Sequence, residues 1–210
     1  MMTLCYAPGA CSLASHIVLE EAGAKFDLRR IDLAKGEQRS DAYLKINPNG
    51  RVPALVLDDG RTLFENIGIM TYVVRAHPDA NLIPREAFAE ARCYSLLSLF
   101  VSSVHVAWAH HARPERYATD TAAHPNLREV ARGSFLNYLQ MIDGWLEGRE
   151  WLLDQFSICD PYALLLLSWG VRGELPVKDL KNFTAHKERM LKRPAVRTAL
   201  EREDNVLIKS

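Results

Sequence analysis

The order of elements on either side of residue 80 constrains this chain more than any other feature. The first 77 residues read as strand, helix, strand, helix, strand, strand, helix, and everything after them reads as helix. Residues 3–6 form a short apolar strand that Ala7-Pro8-Gly9-Ala10 breaks. A helix starts at Ser12, carries Leu13, Ile17 and Leu19, and is ended by Gly23. Residues 26–33 alternate as a second strand, and residues 43–46 make a short helix before the turn Asn47-Pro48-Asn49-Gly50. Residues 52–57 and 62–64 pair as a hairpin around Asp58-Asp59-Gly60, and residues 65–76 return to helix. That order predicts a small sheet with helices on both faces. His77-Pro78-Asp79-Ala80-Asn81 is polar and proline-bearing, as a linker is. Helices are then expected over residues 85–112, 126–146, 157–171, 178–192 and 194–201. The division predicted is an α/β domain over residues 1–80, a linker over 81–86 and an all-helical domain over 87–210.

Composition excludes several classes of function. Lys plus Arg and Asp plus Glu are both 26, so no net charge draws the chain to a polyanion and nucleic acid is not expected as a partner. The N-terminus lacks a basic, then apolar, export signal. The longest apolar run, residues 162–167, is too short for a bilayer. A cytoplasmic location is therefore expected, with Cys5, Cys11, Cys93 and Cys159 reduced. The four are scattered without a CxxC pair, which points to neither a metal site nor a dithiol redox motif.

Three places carry chemistry. Cys11 follows Pro8-Gly9-Ala10 and opens a helix, where free N–H groups and the macrodipole favour a thiolate; a small residue buried in a tight turn fits the same position. Val52-Pro53 stands at a strand entrance. A cis bond there would turn the Val52 backbone outwards for a peptide to pair with, and a trans proline on an edge strand is the plainer reading. Glu65-Asn66 lies where a strand meets a helix N-terminus: the carboxylate suits an ammonium and the amide suits a carboxylate, while simple helix capping suits Asn66 equally. Ser157-Ile158-Cys159-Asp160 has S-x-x-D spacing and reads as a structural cap, with Asp160 tying the helix down.

Taken together these segments resemble the cytosolic glutathione transferases, most closely their bacterial beta class. The resemblance spans essentially the whole chain. It rests on the run from Tyr6 through Cys11 to His16, on Asn47-Pro48-Asn49-Gly50-Arg51-Val52-Pro53-Ala54-Leu55, on the Glu65–Tyr72 stretch and on Phe156-Ser157-Ile158-Cys159-Asp160-Pro161-Tyr162-Ala163. It implies a thioredoxin-like N-terminal domain, an all-helical C-terminal domain and a homodimer. It also implies glutathione as co-substrate, small hydrophobic electrophiles as partners and a role in detoxification. The implied catalytic set is Cys11, His105, Tyr6 and Ser12, with Cys11 at the glutathione sulfur and able to form a mixed disulfide with it. The implied binding set is Val52 and Pro53 for the cysteinyl backbone, Glu65 and Asn66 for the γ-glutamyl group, and Lys35 for the glycine end. Ser98 and Ser102 complete it, with Ser98 where the class has an asparagine that reaches the other subunit's glutathione. Asn66 replaces the usual serine. Trp108, His110, His111 and Trp169 are candidates for the second-substrate pocket, and aromatic core is the alternative for each. From its surroundings alone, His105 reads first as a satisfied core histidine, and it is the match to the family's histidine that favours a functional role. A non-catalytic adaptor on the same fold is the competing function, and the intact glutathione motif argues against it.

Overall fold

The computed structural model describes residues 1–209. Four strands, β1 (Met2–Tyr6), β2 (Phe26–Arg30), β3 (Ala54–Val56) and β4 (Thr62–Phe64), form one sheet in the order β2-β1-β3-β4. β1 and β2 are parallel, as their crossover through α1 (Ser12–Glu21) requires, and the other two pairings are antiparallel. Alternation along β1 splits its side chains between two clusters. Leu4 and Tyr6 join the main core with Leu13 and Ile17 of α1, and Cys5 and Ala7 join Ile31, Tyr43, Val52 and Ala54 on the opposite face. Tyr43 belongs to α2 (Asp41–Leu44), so the sheet is covered on both sides. α3 (Asn66–Ala76) packs beside α1. The thioredoxin-like order expected for the first half is the order observed.

The second half is helical throughout: α4 (Ala87–Leu99), α5 (His105–Ala112), α6 (His124–Trp145), α7 (Cys159–Arg172), α8 (Lys181–Leu191) and α9 (Pro194–Arg202). α1 lies against α7 and α9 as well as α3, and its residues from Ser12 to Leu19 are all buried. Enclosure all round is why this helix has a weak apolar stripe in sequence. Its polar surface is tied to α9. Arg193 grips Glu21 with two bonds of 2.6 and 2.7 Å, Arg202 reaches Glu20 at 2.7 Å, and buried His16 Nδ1 stands 2.9 Å from Oε1 of buried Glu203.

One expected element differs in kind. The single helix over residues 85–112 is observed as α4, a π turn at Phe100–Val104, and α5. A π turn changes the rotation of the helix beyond it, and here it falls immediately before His105, which lines a cleft between the two halves. The S-x-x-D cap is observed: the Asp160 carboxylate accepts from the Ser157 backbone N–H at 2.9 Å, and Ser157 Oγ accepts from the Cys159 N–H at 3.3 Å. Among the described residues, no helix is long and apolar enough to cross a membrane.

Candidate functional site

The cleft, of about 430 Å³, opens between the sheet half and the helical half. Its first wall is built by the Gly9–Cys11 turn, the Arg51–Pro53 segment and the start of α3, and its second by α5, the turn after it and α7. The volume is in the range of small-molecule sites.

The turn before Cys11 is held from the helical half. Gly9 has φ 67°, its N–H donates to Glu203 Oε2 at 3.2 Å, and its carbonyl accepts from Trp169 Nε1 at 3.0 Å and Arg172 Nη1 at 2.7 Å. A side chain at this position would be strained by the left-handed backbone and would put its Cβ 2.7 Å from Arg172 Nη1. Cys11 is thereby set with its sulfur facing the entrance to β3, where the thiol donates to the Val52 carbonyl at 3.3 Å. The Val52–Pro53 bond is cis.

The electrostatics of Cys11 correct the sequence-based expectation. Burial pushes the thiol up to about 11, the Asn66 side chain opposes that shift, and the Glu65 charge adds to it. Desolvation outweighs the helix N-terminus, whose benefit is confined to the first turn. Cys11 is a thiol, not a thiolate, in the unliganded protein.

Glu65 and Asn66 stand at the head of α3, both on the cleft. Glu65 has φ 66° and ψ 131°, which a non-glycine residue adopts at a cost of order 1–3 kcal/mol. Asn66 is buried; its Oδ1 accepts from Ser15 Oγ at 2.7 Å, and its side chain acts against the upward shifts of both the Cys11 thiol and the Tyr162 hydroxyl. Across the cleft, His105 Nδ1 is 3.2 Å from Tyr162 Oη, and its ring meets Trp169 edge-on at 4.7 Å. Cys11, Asn66, Tyr162 and His105 therefore share one polar cluster. Burial lowers His105 to about 4, and the Arg113 and Arg51 charges act in the same sense. The imidazole is neutral at pH 7. In an NMR titration its ring shifts should stay flat from pH 8 to about 5 and move only below; an inflection between pH 6 and 7 would contradict this burial.

Several sequence-based candidates stand elsewhere. Tyr6 is in the main core with its ring 5.9 Å from His16, because the β1 alternation points it away from the cleft. Ser12 is fully buried, and its hydroxyl both accepts from the Ala7 N–H and donates to the Ala7 carbonyl at 3.2 Å. Neither offers a hydroxyl to the cleft, which corrects their assignment to the catalytic set. Lys35 extends into solvent 3.6 Å from Asp32, and Ser98 and Ser102 are exposed away from the cleft walls. His110 stacks on Tyr117 at 3.7 Å and His111 bonds the Arg128 carbonyl, so neither lines the cleft. Trp108 and Trp169 do line it, stacked at 5.8 Å.

Sequence reasoning misses Tyr162, which sits in a motif read only for its cap, and the arginines at 51, 113, 116 and 172. Arg113 and Arg116 are three residues apart, but Arg51 and Arg172 are distant from them in sequence and no local signal unites the four.

Comparison with known proteins agrees with this arrangement. Residues 2–75 match the family model described as the glutathione S-transferase N-terminal domain. The chain is 35% identical over 205 residues to glutathione S-transferase GstA of Escherichia coli O157:H7, covering 96% of this chain and 98% of that one. A glutathione transferase homologue from Sulfitobacter, solved with bound glutathione, superposes with a TM-score of 0.91 at 30% identity over 96% of this chain and 98% of its own. The bacterial beta class glutathione S-transferase of Sphingomonas chungbukensis gives a TM-score of 0.85 at 35% identity, with 96% and 98% covered. With near-complete coverage at this identity, the chain belongs to the glutathione S-transferase family.

Proposed function

We propose that this glutathione transferase holds glutathione against the sheet wall of the cleft and joins its sulfur to small hydrophobic electrophiles admitted along the helical wall. Glutathione is the co-substrate of the reaction, and the protein is an enzyme of conjugation. The observation that carries the site assignment is the convergence of Cys11 Sγ, the Val52 carbonyl 3.3 Å from it, and the Glu65-Asn66 pair on one wall. The Val52 backbone would pair with the cysteinyl unit, with Pro53 holding that segment open. Glu65 would take the γ-glutamyl ammonium, and Asn66 would donate to its carboxylate. Lys35, exposed and paired with Asp32 at the surface, would reach the glycine end. Kept as a thiol, Cys11 has an S–H to donate to the glutathione sulfur, and neutral His105 faces the same space.

A second reaction fits the same wall. The Cys11 thiolate attacks one sulfur of glutathione disulfide, a mixed disulfide forms, and the other glutathione leaves as a thiolate that takes up a proton. The beta-class assignment rests on the Tyr6–His16 run and on the likeness to the Sphingomonas enzyme. A homodimer, in which Ser98 and Ser102 would approach the partner's glutathione, belongs to the same reading. So do a cytoplasmic location, a role in detoxification, and the division into residues 1–80, 81–86 and 87–210. The adaptor alternative is disfavoured because it needs no thiol on the cleft.

The test is retention on immobilised glutathione with elution by the free tripeptide, followed by calorimetry. Removing a charge-assisted hydrogen bond costs roughly 1.5–3 kcal/mol, so Glu65→Ala should weaken glutathione about tenfold or more. Unchanged affinity would move the site off α3. Light scattering should give twice the mass of one 23.7 kDa chain.

A further inference from the structure

Three arginines stand on the helical wall of the cleft and, among the described residues, no carboxylate lines that wall. Arg113 follows the last residue of α5, Arg116 ends the turn after it, and Arg172 is the last residue of α7. Arg51 faces them from the sheet wall, and Glu65 is the one acidic residue lining the cleft among those described. In a chain with equal numbers of acidic and basic residues, this is a local concentration of charge. Among the described residues, the Arg51, Arg113 and Arg116 side chains make no ion pair or hydrogen bond, while Arg172 is engaged with the Gly9 carbonyl. The cluster is unfavourable as it stands: burial and the Arg113 charge both press on Arg116 and Arg172, and Arg113 and Arg51 press on His105. A bound anion would relieve that repulsion. Arg113 and Arg116 are separated by one turn and flanked by Trp108 and Tyr117, a setting for a planar ring with a carboxylate at its edge.

We propose that the second substrate is an anion: a planar aromatic electrophile whose carboxylate pairs with Arg113 and Arg116 while its ring lies toward Trp108. Arg172 adds to the field while holding the turn before Cys11. The inference rests on reading the cleft as a glutathione transferase site, and it concerns the substrate class that site admits. In the reaction the glutathione sulfur bonds to the ring carbon, a halide leaves with the electron pair of the carbon–halogen bond, and the thiol proton passes to solvent.

The test compares a chlorodinitrobenzoate with the carboxamide of the same ring, each kcat/KM divided by its uncatalysed rate with glutathione. The expected result is a corrected preference for the carboxylate of about tenfold or more at low salt, shrinking as ionic strength rises. In the Arg113→Gln, Arg116→Gln double variant the ratio should fall toward one, and the corresponding lysine variant should keep part of it. Equal corrected values in the wild-type protein, or a preference for the amide, would overturn the proposal. If neither compound is conjugated, the conjugation reading fails, and the anion site is then read alone. Calorimetric titration of the unreactive dinitrobenzoate and its amide, with S-methylglutathione present, supports the site if the benzoate binds about tenfold tighter and sinks it if the two bind alike.

Discussion

Asp160→Ala should be the most destabilising single substitution at a polar position in this chain. The carboxylate is fully buried and its partners come from three segments: the Leu152 N–H at 3.1 Å, the Ser157 N–H at 2.9 Å with the Ser157 hydroxyl at 3.3 Å, and His186 Nε2 at 2.9 Å. Alanine removes every acceptor at once. It leaves two backbone donors unpaired away from water, and it strands His186, whose Nδ1 already has no hydrogen-bond partner. Each buried donor left without a partner costs about 1–3 kcal/mol, and stranding the two backbone N–H groups and the His186 ring together puts the loss at about 3–5 kcal/mol. For a chain of this size that is a fall in Tm of roughly 6–20 °C. Asp160→Asn keeps the shape and one acceptor oxygen, so it should fall between wild type and alanine. Urea unfolding measures both. A loss under about 1 kcal/mol for alanine would mean that water replaces the carboxylate and that the cap is not what anchors α7. The consequence reaches function, because α7 carries Tyr162, Trp169 and Arg172 to the cleft.

This cap is legible in the sequence because it is local. S-x-x-D spacing alone positions a carboxylate over a helix N-terminus, and nothing distant has to be known. The order of strands and helices in the first half is legible for the same reason: turn residues such as Asn49-Gly50 and Asp59-Gly60 punctuate it. What escapes is long-range. The His186 and Leu152 partners of Asp160 depend on the packing of α8 beneath α7. The π turn before His105 has no breaker to announce it, since Phe100–Val104 is an ordinary apolar and serine stretch. The resemblance carried by the Tyr6–His16 run implies Tyr6 and Ser12 for the site, but three dimensions separate them from it. The strand period sends Tyr6 to the other side of β1, and the Ala7 turn takes up the Ser12 hydroxyl. The arginine cluster has no sequence signal, because it is assembled from the ends of two helices and a loop of the sheet domain.

Cys11 should be the cysteine that reacts, and its rate should climb steeply with pH. Two effects compete. The raised thiol, at about 11, leaves about one thiolate in ten thousand at pH 7, which slows any attack by sulfur. Access works the other way: Cys5, Cys93 and Cys159 are fully buried, whereas Cys11 is partly exposed on the cleft. The thiolates of Cys5 and Cys159 are also disfavoured by their own burial, so they hold no advantage in charge to offset their lack of access. Access decides which residue reacts, and ionisation decides how fast. Native labelling with iodoacetamide, mapped by mass spectrometry, should therefore mark Cys11 first and rise about tenfold per pH unit, roughly a hundredfold from pH 7 to pH 9. A thiolate stabilised by the helix N-terminus would instead plateau near neutrality. Cys11→Ala should abolish exchange with glutathione disulfide, since among the described residues no other sulfur lines the cleft. It should leave part of the conjugating activity, whose nucleophile is glutathione's own sulfur. A plateau below pH 8 would show a Cys11 thiolate stabilised in spite of burial, whereas first labelling at Cys5, Cys93 or Cys159, or full disulfide exchange in Cys11→Ala, would each show that the sulfur facing Val52 is a turn residue and not the reacting group.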